Sequence, residues 1–196
     1  MNKLQLGLLC GALAMVCGAA DAQTNMRIRG TVTAFDGKVV SVKSRDGKDL
    51  MLQFPENGVV VAAKAITLAD LKPGDYVGVT SIRKDGVLTA REVHMIPRTA
   101  AEGHTPWDLE PESSMTNANI AKSVKSASGH ELTLEYKGGA QTIQVPDGVP
   151  IVMTVPAERS LLVPGTYIFT IAQVAADGTM TTMRIQAAKD GVKPPQ

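Results

Sequence analysis

The chain has 196 residues, 44% of them hydrophobic, and a formal net charge of +1. That length and composition suit one ordinary domain or two small ones and exclude a disordered, collagen-like or coiled-coil chain. A balance so close to neutrality lacks the basic footprint of a dedicated nucleic-acid binder, so neither nucleic acid nor an anionic membrane surface is favoured.

Residues 1–22 read as a secretory signal peptide. Lys3 supplies the positive start, Leu4 to Val16 the apolar run, and Ala20-Asp21-Ala22 a small-x-small cleavage site before Gln23. The apolar run is too short for a membrane-spanning helix, which needs about 20 residues. Both cysteines, Cys10 and Cys17, lie inside this segment. The exported chain is therefore expected to carry no disulfide, no Cys-ligated zinc and no thiol nucleophile, and to reside in a bacterial periplasm or outside the cell.

From Arg27 onward the period is that of strands. Val40 and Val42 alternate with Ser41 and Lys43, and Asp36-Gly37, Asp46-Gly47 and Asp85-Gly86 each separate two such runs, as tight hairpins require. Thr67-Leu68-Ala69-Asp70-Leu71 interrupts the strands with a single helical turn capped by Thr67.

Residues 96–118 change character. The preceding segment, 23–95, carries 11 basic and 8 acidic residues, whereas 96–118 carries 1 and 4. A linker of this sign could dock on the basic segment before it. It holds Trp107, the only tryptophan, which either packs into a seam between domains or serves as an anchor for a partner. Trp107, Asp108, Leu109, Glu110 and Glu112 are the first candidate partner-binding group, and Arg27, Arg29, Lys43 and Arg45 on the basic strands the second.

Beyond the linker the first segment returns. Residues 27–95 and 119–187 align at an offset of 92 with a one-residue gap that later closes. Ile28 and Val32 match Ile120 and Val124. Gln53-Phe54-Pro55 matches Gln144-Val145-Pro146, and Leu71-Lys72-Pro73-Gly74-Asp75-Tyr76-Val77 matches Leu162-Val163-Pro164-Gly165-Thr166-Tyr167-Ile168. Leu132, Leu134 and Tyr136 alternate with polar residues, and Pro156 to Leu162 stands where the first copy has its helical turn.

Three strands, a short helical turn and two strands is the order of an OB-type barrel. The expected fold is therefore all-β: two tandem five-stranded OB-like barrels over 23–95 and 119–187, each with a helical turn between its third and fourth strands, joined by the 96–118 linker and followed by a disordered tail at 188–196. A small SH3-like barrel is the alternative. The repeated Leu-x-Pro-Gly-x-Tyr turn, the Asp-Gly hairpins and the linker words Pro106-Trp107-Asp108-Leu109 and Met115-Thr116-Asn117-Ala118 resemble a family of secreted bacterial proteins of unknown function with OB-like domains. Such proteins are sometimes labelled metal-transport permeases, a label for which this sequence has no spanning helix.

Chemistry is sparse. No nucleophile elbow, phosphate-binding loop or dinucleotide fingerprint occurs, no cofactor is implied, and the carboxylates and Ser113 of the linker have no rigid frame to align them. His94, His104 and His130 are the only histidines, without zinc-site spacing. His94 is out of phase with Val93 and Met95 and so is expected to face solvent. The expected function is that of a non-catalytic exported binding or adaptor protein for an envelope protein or an anionic polymer. The alternative is a periplasmic copper or zinc protein using His104, Met115 and His94.

Overall fold

The computed structural model describes residues 24–126 and 129–195, so the signal-peptide reading of 1–22 lies outside the described residues. Among the described residues there are fourteen strands: β1 (Thr24–Phe35), β2 (Val39–Ser44), β3 (Asp49–Gln53), β4 (Val59–Ala65), β5 (Tyr76–Lys84), β6 (Val87–Met95), β7 (Gly103–Pro106), β8 (Ser113–Ser126), β9 (Gly129–Tyr136), β10 (Gly139–Pro146), β11 (Ile151–Ala157), β12 (Tyr167–Val174), β13 (Met180–Thr181) and β14 (Arg184–Ala187). Single 3-10 turns, Leu68–Asp70 and Arg159–Leu161, follow the fourth strand of each copy. The expected position after the third strand is corrected, because Val59–Ala65 and Ile151–Ala157 are strands too. No helix among the described residues is long and apolar enough to cross a membrane.

The alternation seen in the sequence produces the hairpins. Val40 and Val42 are buried while Ser41 and Lys43 are not. Asp85 and Gly86 both have positive φ, 51° and 81°, the conformation that lets a two-residue turn follow the strand twist. The barrels, however, do not follow the copies. One closed ring runs β1-β2-β3-β13-β12 and back to β1, with β3 and β13 parallel and every other neighbour antiparallel. The other runs β8-β9-β10-β6-β5 and back to β8, with β10 and β6 parallel. Each ring takes its first three strands from one copy and its last two from the other. The tandem arrangement of self-contained barrels is thus replaced by two barrels, each built by an exchange of strands between the copies.

The exchange is two-fold symmetric. At its centre β4 and β11 pair antiparallel, Ala65 opposite Val152 and Val60 opposite Ala157, while β14 flanks β4 and β6 flanks β11, both in parallel. The repeated Pro-Gly turn acts as a reciprocal clasp. Gly74 N donates to Ile120 O and Ile120 N to Asp75 O, and in mirror fashion Gly165 N donates to Val32 O and Val32 N to Thr166 O, all at 2.8–2.9 Å. Both glycines have φ near +90°, a conformation that strains any side chain. Arg159 adds a further cross-copy anchor, donating to the carbonyls of Phe54, Pro55 and Gly37 with its guanidinium 4.1 Å from the Phe54 ring centroid.

The clasp also corrects the alignment. Val32 and Ile120 occupy equivalent places, an offset of 88, and the bulges between Val32 and Ala34 and between Ile120 and Lys122 agree. The β8–β9 hairpin is longer by four residues, and only beyond it does the offset become 92. Each ring encloses its own core. Ile28, Val40, Leu52, Ile168 and Ile185 belong to one, and Val77, Val93, Ile120, Leu134 and Ile143 to the other. The expected disordered tail is ordered through residue 195. After a turn at Asp190-Gly191, Val192 bonds back to Lys189, and Pro194 and Pro195 are buried.

Candidate functional site

The linker is docked along its length. β7 pairs with β8, and Asn117 donates to the Ala101 carbonyl while Tyr76 OH donates to that of Ala100. Beyond β7 a tight turn forms at Glu110–Ser113, where Ser113 N donates to Glu110 O and Trp107 N donates to Ser113 O. Exposed Glu112, with φ of 60°, stands at its tip.

This turn carries the first candidate group onto the second. The Arg27 guanidinium lies 3.9 Å from the Trp107 ring centroid, a stacking distance at which the ring quadrupole attracts the cation. Asp108 reaches Arg29 at 2.9 Å and Arg27 at 3.8 Å. Arg45 donates to the carbonyls of Leu109 and Asp108, and Glu110 pairs with Arg91. The charge contrast read in the sequence is therefore spent within the molecule. Lys43 does not join, pairing with Asp49 instead. Partial burial pushes the Asp108 carboxyl up, but the hydrogen bond and charge of Arg29, aided by Arg27, outweigh it and hold the group below its usual range. Arg29 is only 4% exposed, stacks over Phe169 and leaves its buried Nε without a hydrogen-bond partner.

Beside the linker lies a cavity of about 200 Å³ at the junction of the two barrels. Its lining comes from both barrels and the linker: His94, Met115 and Asn117 belong to one barrel, Phe169 to the other, Arg184 and Gln186 to β14, and Trp107 to the linker. Symmetry explains the composition. Arg29, Phe169 and Gln186 stand in register across β1, β12 and β14, and Asn117, Gly78 and His94 across β8, β5 and β6. Where one half has a phenylalanine ring, the other has a glycine over which an imidazole lies. The neighbouring row holds Met115, Thr80 and Glu92, with Thr80 Oγ1 donating to Glu92 Oε1 at 3.1 Å and 3.9 Å from Met115 Sδ.

His94 is a correction. It does face away from the Val93 core, yet that face is covered by the other copy and the linker, so the residue is 9% exposed rather than solvated. Burial lowers its pKa to about 4 despite Glu92 Oε1 at 3.9 Å, and its buried Nδ1 has no hydrogen-bond partner. The proposed metal triad is not assembled. His94 and Met115 line the same cavity, whereas His104 contacts Thr116, 2.8 Å from Nδ1 to Oγ1. Adjacent residues of a strand point to opposite faces, so Met115 and Thr116 cannot present His104 and His94 to one ion. Among the described residues no three His, Cys, Asp or Glu side chains cluster for a metal.

Sequence reasoning missed Glu92, Asn117, Phe169, Arg184 and Gln186. One signal was available: Glu92 and His94 share the non-core phase of a strand whose core-phase neighbour, Val93, is fully apolar. A strand buried on both faces would have placed them in an interface. Gly78 provides a direct test of this packing. A Cβ there would stand 2.5 Å from His94 Nε2 and 3.0 Å from Asn117 Oδ1. Gly78→Ala is expected to cost about 1–3 kcal/mol by overpacking, and His94→Ala should recover most of it. Urea midpoints of the two single variants and the double variant measure the coupling; additive effects would show that the two residues do not compete for the space.

Comparison of the chain with protein-family models, curated proteins and solved structures gives no match, so its function must be read from its own residues.

Proposed function

We propose that the protein is an exported, non-catalytic binding or adaptor module, built on OB-like barrels and kin to the secreted bacterial family it resembles, whose partner is a protein of the cell envelope. The observation that carries this reading is the surface made by the linker turn and β1, where Trp107 is held against Arg27 and lines the junction cavity. A half-buried aromatic clamped by a cation and rimmed by charged groups has the make-up of an interface anchor. The leader-like segment 1–22 supports export, and the lack of a recognisable catalytic motif supports a binding role.

An anionic polymer fits this surface less well. Arg27, Arg29 and Arg45 already face the linker's own carboxylate and carbonyls, so an added polyanion would have to displace them. The metal-binding alternative has less support still, since His104 lies on the far side of β8 from Met115.

A photoreactive residue at Glu112 tests the proposal, with one at Lys137, exposed on a distant hairpin, as control. Illumination of cells should yield a discrete protein adduct from position 112, none from 137, and loss of the 112 adduct in a Trp107→Ala variant that retains its melting transition. Identical patterns from both positions, or an adduct indifferent to Trp107, would overturn it.

A further inference from the structure

The end of the described chain does something a loose tail would not. After β14, Asp190 and Gly191 adopt positive φ values of 51° and 80° and turn the chain back, so that Val192 and Lys189 exchange hydrogen bonds of 2.8 and 3.0 Å. Lys193 then stays exposed with its Nζ 5.3 Å from the Tyr167 ring centroid, while Pro194 and Pro195 run into a groove and become buried. Ala65 and Ile66 are hydrogen-bonded neighbours of Ile151 and Val152, and with Val149, Pro150 and buried Glu92 they form one wall of that groove, the tail residues 191–195 forming the other. About 530 Å³ of groove stays unfilled beside the tail. At its far end Pro195 also touches the Trp107 cavity, so the two spaces meet at this residue.

We infer that this groove is a docking site for an extended, proline-containing segment of a partner protein with a basic residue just before its prolines, and that Lys193-Pro194-Pro195 occupies it in the free molecule. The occupant is read from the one already seated there. Prolines have no N–H to leave unsatisfied against an apolar wall, and their backbone is already close to the extended shape, so little entropy is lost on docking. The unfilled volume lies between the seated tail and the strand wall, which leaves room there for bulkier flanking side chains. The inference rests on the adaptor reading for its partner class, but it uses a different surface from the linker turn. Failure of the peptide test below therefore leaves the Glu112 adduct experiment intact, and the reverse also holds.

The probe is a fluorescein-labelled peptide of residues 191–196, Gly-Val-Lys-Pro-Pro-Gln, followed by anisotropy. A tail tethered in place acts at an effective concentration on the order of millimolar, so it should weaken a peptide of micromolar affinity by at least about tenfold. The full chain with Pro194→Asp and Pro195→Asp, which unseats the tail, is expected to bind the peptide saturably and at least about tenfold more tightly than wild type. Adding Ile66→Asp should abolish that binding, and a peptide with both prolines changed to alanine should not bind. Should the double aspartate variant fold poorly, Pro195→Ala in the full chain provides a milder release, with a severalfold gain expected. Absence of binding to a folded, tail-released variant, equal binding to wild type, or indifference to Ile66→Asp would overturn the inference.

Discussion

Residues 24–95 and residues 103–195, produced as separate fragments, are expected not to form folded monomers, whereas mixing them should restore one cooperative melting transition and native near-ultraviolet dichroism. The reason lies in the rings. Without the second copy, β1 loses β12 and β3 loses β13, so the first three strands keep only their own two hairpin pairings. The core they enclose also loses Leu162, Ile168, Ala172, Ile185 and Ala187, all buried and all supplied by the other copy. Burial of each large aliphatic side chain contributes about 1.5–3 kcal/mol, and a domain of this kind has a net stability of only about 5–15 kcal/mol. The clasp bonds from Val32 to Gly165 and Thr166 disappear as well. The open edges left behind would favour association over a monomeric fold. A fragment of 24–95 that proved monomeric by light scattering and melted cooperatively would show that one copy can close on itself, and the exchange of strands between the copies would then not be what stabilises the protein.

Much of this architecture was legible in the chain, and its limits are instructive. Hairpins at Asp-Gly pairs and the repeat itself are local or self-comparing features, and each came from spacing alone. The linker's docking was legible in outline because its excess of acid met the first copy's excess of base, although the specific pairs, Asp108 with Arg29 and Glu110 with Arg91, depend on strand positions. The partnership of strands was not legible. Two copies with the same alternation can close individually or exchange their last strands with the same hydrophobic faces inward, and nothing in the alternation distinguishes these outcomes. The first-strand alignment failed for a related reason. Ile28 and Val32 match Ile120 and Val124 in kind, but a slip of four residues along a strand returns every side chain to the same face, so the pattern tolerates it. Only the hydrogen bonds of Val32 and Ile120 to the Pro-Gly turns fix the register. The same blindness hid the junction cavity, since Phe169 and Gly78 take equivalent places in the two rings while sharing no chemistry.

Acid sensitivity centred on His94 is the second large effect expected. In the unfolded chain this imidazole titrates near its ordinary value of 6.5, whereas burial in the folded protein lowers it to about 4. Above pH 6.5 both states hold the ring neutral and the group does not affect stability. Between those two values the unfolded state binds the proton and the folded state does not, so falling pH draws the equilibrium toward unfolding, and below pH 4 the loss is complete. A displacement of this size corresponds to about 3 kcal/mol lost between pH 6.5 and 4. Asp108 acts in a separate window: its lowered pKa gives stability that is present above its unfolded value and lost only as the pH falls through the lower folded one. Urea midpoints at pH 4.5 and 7 keep clear of Asp108, and because burial and the charge of Arg83 also lower the pKa of His104, comparison with a His94 variant separates the two histidines. Wild type should lose most of that free energy over the interval, and His94→Gln, which keeps a polar planar group in the cavity but has no proton to bind, should lose far less. Equal losses in the two proteins would mean that His94 is hydrated and titrates normally, and the tight packing of its ring over Gly78 beneath the junction cavity would have to be abandoned with it.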